Sequence, residues 1–217
     1  PGNHEFDYGM ERFWQLNKKL KSGYYSANFE DLRTKKLALP PYKMLQFGDT
    51  KVALVGATTP GTLISSRPAY FQDGQGNYIY GFNEDETGRN LYRALQKSIN
   101  AARENGADYV FIVGHLGLNG SIEYWNSESV AANTRGVDAI IDGHSHERIQ
   151  GKHVKNYVGK DVLITQTGTK LKTVGQIVIG TDGKITSTLI KADGGDNAKV
   201  QKVISREIAK YEPLLQQ

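Results

Sequence analysis

The sequence has no cysteine. That excludes disulfides and thiolate ligands, so any bound metal must be held by His, Asn, Asp or Glu. It excludes no cellular compartment. Apolar runs are short, and none approaches the length of a membrane span. An excess of one charge is also missing: 27 Lys and Arg stand against 23 Asp and Glu. The basic residues are scattered rather than gathered into the stripe that a nucleic-acid surface needs, so no nucleic-acid partner is expected. Internal repeats and low-complexity tracts are absent. What remains is a globular composition, 217 residues with 38% hydrophobic and 10% aromatic content, enough for one substantial domain with its own core.

Periodicity sketches an alternating α/β chain. Tyr8 to Ser22 reads as a helix stopped by Gly23, and Tyr24 to Phe29 as a short strand. Tyr42 to Phe47 and Lys51 to Gly56 read as a hairpin around Gly48-Asp49. Thr58 to Asn83, rich in Gly, Pro, Ser and Tyr, reads as a long surface excursion. Thr87 to Asn105 is the clearest helix, with Leu91, Leu95, Ile99 and Ala102 on one face. Asp108 to Val113 and Val137 to Ile141 are buried-strand runs, with a short helix over Glu128 to Thr134 between them. Val162 to Gln166, Val174 to Ile179 and Lys184 to Lys191 read as strands of a more antiparallel sheet. Asn197 to Glu212 reads as a last helix with Val200, Val203, Ile204, Ile208 and Tyr211 on one face, ended by Pro213.

Three polar strings carry the chemistry. Gly2-Asn3-His4-Glu5-Phe6-Asp7 packs an amide, an imidazole and two carboxylates into a few positions. Asn3 offers a carbonyl oxygen to a metal, and Asp7 can hold the His4 ring in one tautomer. Gly114-His115 follows one buried strand directly, and Asp142-Gly143-His144-Ser145-His146 follows the other. In a parallel sheet the ligand crevice lies outside the carboxyl ends of the strands, so these histidines are expected on one edge beside Asn3 and His4. His144 and His146 alternate by two, which would turn both to one side if the strand continued. Each residue has a plainer reading: Asn3 as a turn cap, Asp7 as the cap of the following helix, His115 as a hydrogen-bonded structural residue. Glu5 and Asn28 are read as structural and His153 as solvated. The run Gln166 to Lys170 is one candidate for the border of the substrate, whose binding residues are otherwise unassigned.

Together the three strings resemble the calcineurin-like metallophosphoesterases, and within them the 5'-nucleotidase group, from Pro1 to about Gly180. The resemblance implies an α/β/β/α sandwich of two packed sheets flanked by helices, with residues 1–194 as the catalytic domain. It implies a phosphohydrolase acting on nucleotides or related esters with two divalent ions (Zn, Mn, Fe, Co or Ni) and a bridging hydroxide. Asn3, His115 and His144 would ligate one ion and His146 the other. His4 would be catalytic, stabilising the transition state and helping the leaving oxygen, with Asp7 orienting it. The family's Asp-x-His and Gly-Asp motifs, those that stand upstream of the Asn-His string, are not in this sequence. The chain is therefore expected to be incomplete at the N-terminus, to hold one ion or none by itself, and to be impaired alone or to self-associate through exposed edges. Residues 195–217 would be a linker helix towards a second, substrate-binding domain. By the same resemblance the protein is expected to be bacterial and exported: periplasmic, cell-wall or extracellular. The alternative is a catalytically inactive phosphoesterase-fold binding or cell-surface protein.

Overall fold

A computed structural model describes residues 1–119 and 121–215. In chain order its elements are α1 (Gly9–Lys19), β1 (Glu30–Asp31), β2 (Lys36–Leu37), β3 (Tyr42–Phe47), β4 (Thr50–Thr58), α2 (Thr62–Ser65), β5 (Tyr80–Gly81), α3 (Arg89–Glu104), β6 (Tyr109–His115), α4 (Ser127–Asn133), β7 (Ala139–Asp142), β8 (Arg148–Lys155), β9 (Asp161–Thr167), β10 (Thr173–Ile179), β11 (Ile185–Lys191) and α5 (Ala198–Leu215). One six-stranded sheet, in the order β3-β4-β6-β7-β9-β8, organises the rest. Its four inner strands run parallel, and β3 and β8 run antiparallel at the edges.

The parallel strands are apolar on both faces because both faces are covered. Side chains alternate along each strand. Ala53 and Val55 of β4, Val110 and Ile112 of β6, Ile140 and Ile164 meet Leu91, Leu95, Ile99 and Ala102 of α3 and Val130 and Ala131 of α4. The intervening residues Val52, Phe111, Ala139 and Leu163 turn the other way, under Ile177, Ile179 and Ile185 of the antiparallel β10-β11 ribbon. The result is a mixed α/β fold with several sheets flanked by helices, as expected. A three-stranded patch, β2-β1-β5, completes the set.

The third cluster is aromatic. Phe6, Phe13, Phe29, Phe71 and Phe82 are almost fully buried together with Leu39 and Leu63. Phe6 sits at its centre, stacked on Phe13 at 4.5 Å and edge-on to Phe29, Phe71 and Phe82 at 5.4 to 5.5 Å.

Several expectations need correction. Tyr24 to Phe29 forms no strand: its backbone is led by Tyr24 stacking on Phe13 and by Ser26 and Asn28 bonding to Thr58. Thr58 to Asn83 is not a surface excursion, since it donates Leu63, Phe71 and Phe82 to the aromatic cluster. β8 has no apolar signal, because its sequence is mostly polar and lies at an exposed edge. β9 joins the main sheet parallel to β7 instead of the antiparallel ribbon. α1 stops at Lys19, short of Ser22, and α5 runs past Pro213, which stands in its last turn. The apolar face of α5 is exposed at Val200, Val203, Ile204 and Ile208. Among the described residues no helix is long and apolar enough to cross a membrane.

Phe6→Ala should cost about 3–5 kcal/mol of folding stability, the usual toll for a buried phenyl ring whose neighbours cannot close the gap. Urea denaturation of the two chains tests this, and a loss under about 1 kcal/mol would mean that the cluster does not hold the opening turn.

Candidate active site

β4, β6, β7 and β9 all end on one edge of the sheet. Thr58 lies opposite His115 in the β4–β6 register, and Asp142 opposite Gln166 in the β7–β9 register. The opening turn, Asn3–Phe6, is laid across this edge. Phe6 holds it from below, and the Thr58 hydroxyl donates to the Pro1 carbonyl at 3.1 Å. Glu5 has a structural part here: its carboxylate accepts the Gly2 N–H at 2.5 Å. Gly2 has to be glycine, since a Cβ there would stand 2.8 Å from the His115 ring.

The structure brings Asn3, His115 and His144 together. Asn3 is buried, and its Oδ1 lies 3.0 Å from His115 Nε2. The His115 and His144 rings stand edge to face with centroids 5.0 Å apart. His146 is more exposed than either, and its charge, like that of His4, lowers the proton affinity of both. All four imidazoles therefore share one electrostatic neighbourhood. Burial, then the facing His144 ring, pushes His115 down to about 4. Burial also lowers His144, against the opposing pull of Asp142. Both rings are thereby held neutral near pH 7, which is the form that binds metals.

His144 and His146 do not continue the strand. β7 ends at Asp142, and both histidines have left-handed backbones, φ 79° and 59°. Such conformations are costly for residues with a side chain, about 1–3 kcal/mol each when the surroundings must enforce them. Asp142 is buried, its Oδ1 accepting the Leu116 N–H at 2.8 Å and its Oδ2 the Ser127 hydroxyl at 2.5 Å. Its burial raises its proton affinity, and these hydrogen bonds oppose the shift. Gly117, at φ 80°, lets the loop after β6 pass close to His144, where a Cβ would come within 3.0 Å of the ring.

His4 and Asp7 form a separate pair. His4 Nδ1 meets Asp7 Oδ2 at 2.7 Å, and the Ser66 hydroxyl donates to Asp7 Oδ1 at 3.3 Å. The His4 side chain is 74% exposed. A carboxylate can only accept, so Nδ1 carries the proton towards Asp7 and Nε2 is the free nitrogen.

Among the described residues no three or more His, Cys, Asp or Glu side chains gather as a metal cage. The third donor here is the amide oxygen of Asn3, and the nearest carboxylate, Asp142, is spent on hydrogen bonds. The 3.0 Å gap between Asn3 Oδ1 and His115 Nε2 suits neighbouring ligands each about 2.1 Å from a shared ion. His153 lies on exposed β8, away from the cluster. Asn28 is structural, its amide donating to the Thr58 and Phe82 carbonyls at 2.7 and 2.8 Å. Sequence reasoning missed the parts played by Asp142, Ser127, Asn119 and Glu147, which carry no signal of their own beyond their nearness to the histidines.

The family model for calcineurin-like phosphoesterase matches residues 1–148. The chain belongs to this family. A curated member from Salmonella typhimurium, 2',3'-cyclic-nucleotide 2'-phosphodiesterase/3'-nucleotidase, is 26% identical over 74% of the chain and 25% of its own length. Human 5'-nucleotidase is 31% identical over 67% of the chain and 23% of its own length. The chain thus spans about a quarter of the length of these relatives. The solved 5'-nucleotidase precursor from Thermus thermophilus superposes with a TM-score of 0.71 at 24% identity, over 99% of this chain and 42% of that one. That likeness speaks to the fold.

In the metal-free chain the His115 ring should remain neutral on acidification until about pH 4. An NMR titration of the imidazole Cε1–H signals checks this. Protonation of His115 near the ordinary histidine value of about 6.5 would show that the ring is not desolvated as described.

Proposed function

We propose that the protein hydrolyses phosphate esters of nucleotides or closely related compounds with the help of divalent metal ions. The observation that carries this reading is the convergence of Asn3, His115 and His144 at the carboxyl ends of parallel strands, beside a hydrogen-bonded His4–Asp7 pair. Family membership supports it, as do the nucleotidase and phosphodiesterase names of the relatives.

The residues present fit one ion: two neutral imidazoles and one amide oxygen. His146 is the candidate donor to a second, whose remaining ligands would come from the Asp-x-His and Gly-Asp motifs of the family resemblance. With ions held by these residues, the chemistry supplied would be an activated water and positive charge beside the phosphoryl group.

The chain's own residues do the rest. Asp7 fixes the His4 tautomer and ring direction, with Ser66 steadying the carboxylate. Asp7 leaves His4 Nε2 free on an exposed ring; with a second proton there, the imidazolium can hydrogen-bond the phosphoryl group or hand that proton to the departing oxygen. Buried Asn3 and partly buried His115 are already in contact at 3.0 Å, the kind of preorganisation that lowers the cost of charge stabilisation. Export to the periplasm, cell wall or exterior accords with this reading. The snake-venom 5'-nucleotidases among the relatives support it.

The test uses the full-length gene product. Product release from AMP (adenosine and phosphate), from 2',3'-cyclic AMP (adenosine monophosphate) and from a nucleotide sugar (nucleoside monophosphate and sugar phosphate) is followed by chromatography with Mn2+ or Zn2+ and after EDTA. Release should depend on metal. His4→Ala should lower kcat by about 10²–10⁴-fold, the usual worth of a positioned acid or base, with metal content unchanged. Asn3→Ala should instead raise the metal concentration needed. Metal-loaded protein inert towards all three esters would reject the reading and leave a phosphoesterase-fold binding protein.

A further inference from the structure

Gln166 ends β9 with only 1% of its surface exposed. Its side chain is committed to hydrogen bonds within the protein. It reaches back from the register partner of Asp142 into the loop that carries His144 and His146. Its Oε1 accepts the Glu147 N–H at 2.7 Å, and its Nε2 donates to the Ser145 hydroxyl at 3.1 Å. Ser145 stands between the two left-handed histidines, and Glu147 directly follows the second.

The amide grips both sides of His146, and the grip extends further. The Ser145 hydroxyl accepts the Leu118 N–H at 3.1 Å and donates to Glu147 Oε2 at 3.0 Å. The Glu147 carboxylate accepts from the backbone and the side chain of Asn119. The loop after β6, which begins at His115, and the loop after β7 are thus tied to each other, and Gln166 ties both to β9.

We infer that Gln166 is a positioning residue that sets the His144–Ser145–His146 turn, and through it the mutual placement of the candidate metal-binding imidazoles. The inference rests on the metal reading above only for its functional consequence. The geometry needs a group that donates at one end and accepts at the other, buried and uncharged. Glutamine meets all of these. Leucine has a similar volume and meets neither hydrogen bond. Glutamate lacks the donor and would set a second carboxylate beside Glu147. Outer residues of this kind typically carry about 10–100-fold in metal affinity without touching the ion.

The experiment compares the wild-type chain with Gln166→Leu and Ser145→Ala, which removes the hydroxyl that Gln166 grips. Two readouts are taken: the imidazole and amide NMR signals of residues 144–147 without metal, and Zn2+ affinity by calorimetry. Both variants should shift the His144 and His146 signals and speed amide exchange over 144–147, while the signals of α3 and the aromatic cluster stay in place. Where the wild-type chain binds Zn2+, the variants should bind it about 10–100-fold more weakly. Unchanged histidine signals in the variants, or wild-type Zn2+ affinity in them, would overturn the inference. If the wild-type chain itself binds no Zn2+, the metal-free NMR comparison alone decides the role of Gln166, and the metal reading is tested on the full-length gene product. If Gln166→Leu does not fold, Ser145→Ala carries the same two outcomes.

Discussion

The carboxylate of Asp142 is the constraint on which the site depends. It sits at the end of a buried strand with 8% of its surface exposed. An isolated charge there would be very costly. Here each oxygen is occupied, one by a backbone N–H just past His115 and one by the hydroxyl that opens α4. The same bonds that make its burial tolerable fix three elements to one point. Parallel pairing already sets Val113 beside Ile141. Asp142 carries that register beyond the last ladder bond, so the two histidine loops leave the sheet side by side rather than fraying apart.

The opening turn is held by a different kind of force. Nothing polar would keep a largely hydrophilic turn lying across a sheet edge, since its groups could as well bond to water. Phe6 removes that freedom. Its ring is enclosed by four other phenyl rings, and aromatic pairs add about 0.5–1.5 kcal/mol each beyond area burial. Asn3 is pressed against His115 as a consequence, and His4, one residue on, is left facing out. Alternation between a buried ligand-type side chain and an exposed acid-base side chain thus follows from one anchored ring.

What could be read from the sequence follows from this division. Strands that bury both faces announce themselves as apolar runs, so β6, β7 and α3 were legible, and with them the edge where His115 and His144 would meet. The hydrogen-bond network was not. Gln166, Glu147 and Asn119 are ordinary surface types, and only tertiary contact joins them, with Gln166 alone fully buried. β8 hid because an edge strand can be polar along its length. Tyr24 to Phe29 misled for the opposite reason: its aromatics fill a cluster instead of a ladder. The spacing of His144 and His146 suggested a continuing strand, but both residues have left-handed backbones in a loop past the end of β7.

That turn matters for the chemistry. On a straight strand, residues two apart point the same way with little freedom to adjust their separation. A left-handed loop braced at Ser145 and Glu147 places the two rings at different depths, His144 half-buried against His115 and His146 more exposed. Desolvation keeps the inner rings, His115 and His144, neutral. His4 lies further out, and its carboxylate partner directs the ring without burying it. On the proposed reading, imidazoles on one sheet edge serve two tasks, electron-pair donation to a cation by His115 and His144 and proton movement at a leaving oxygen by His4. The second is set apart by the Asp7 carboxylate rather than by any difference in residue type.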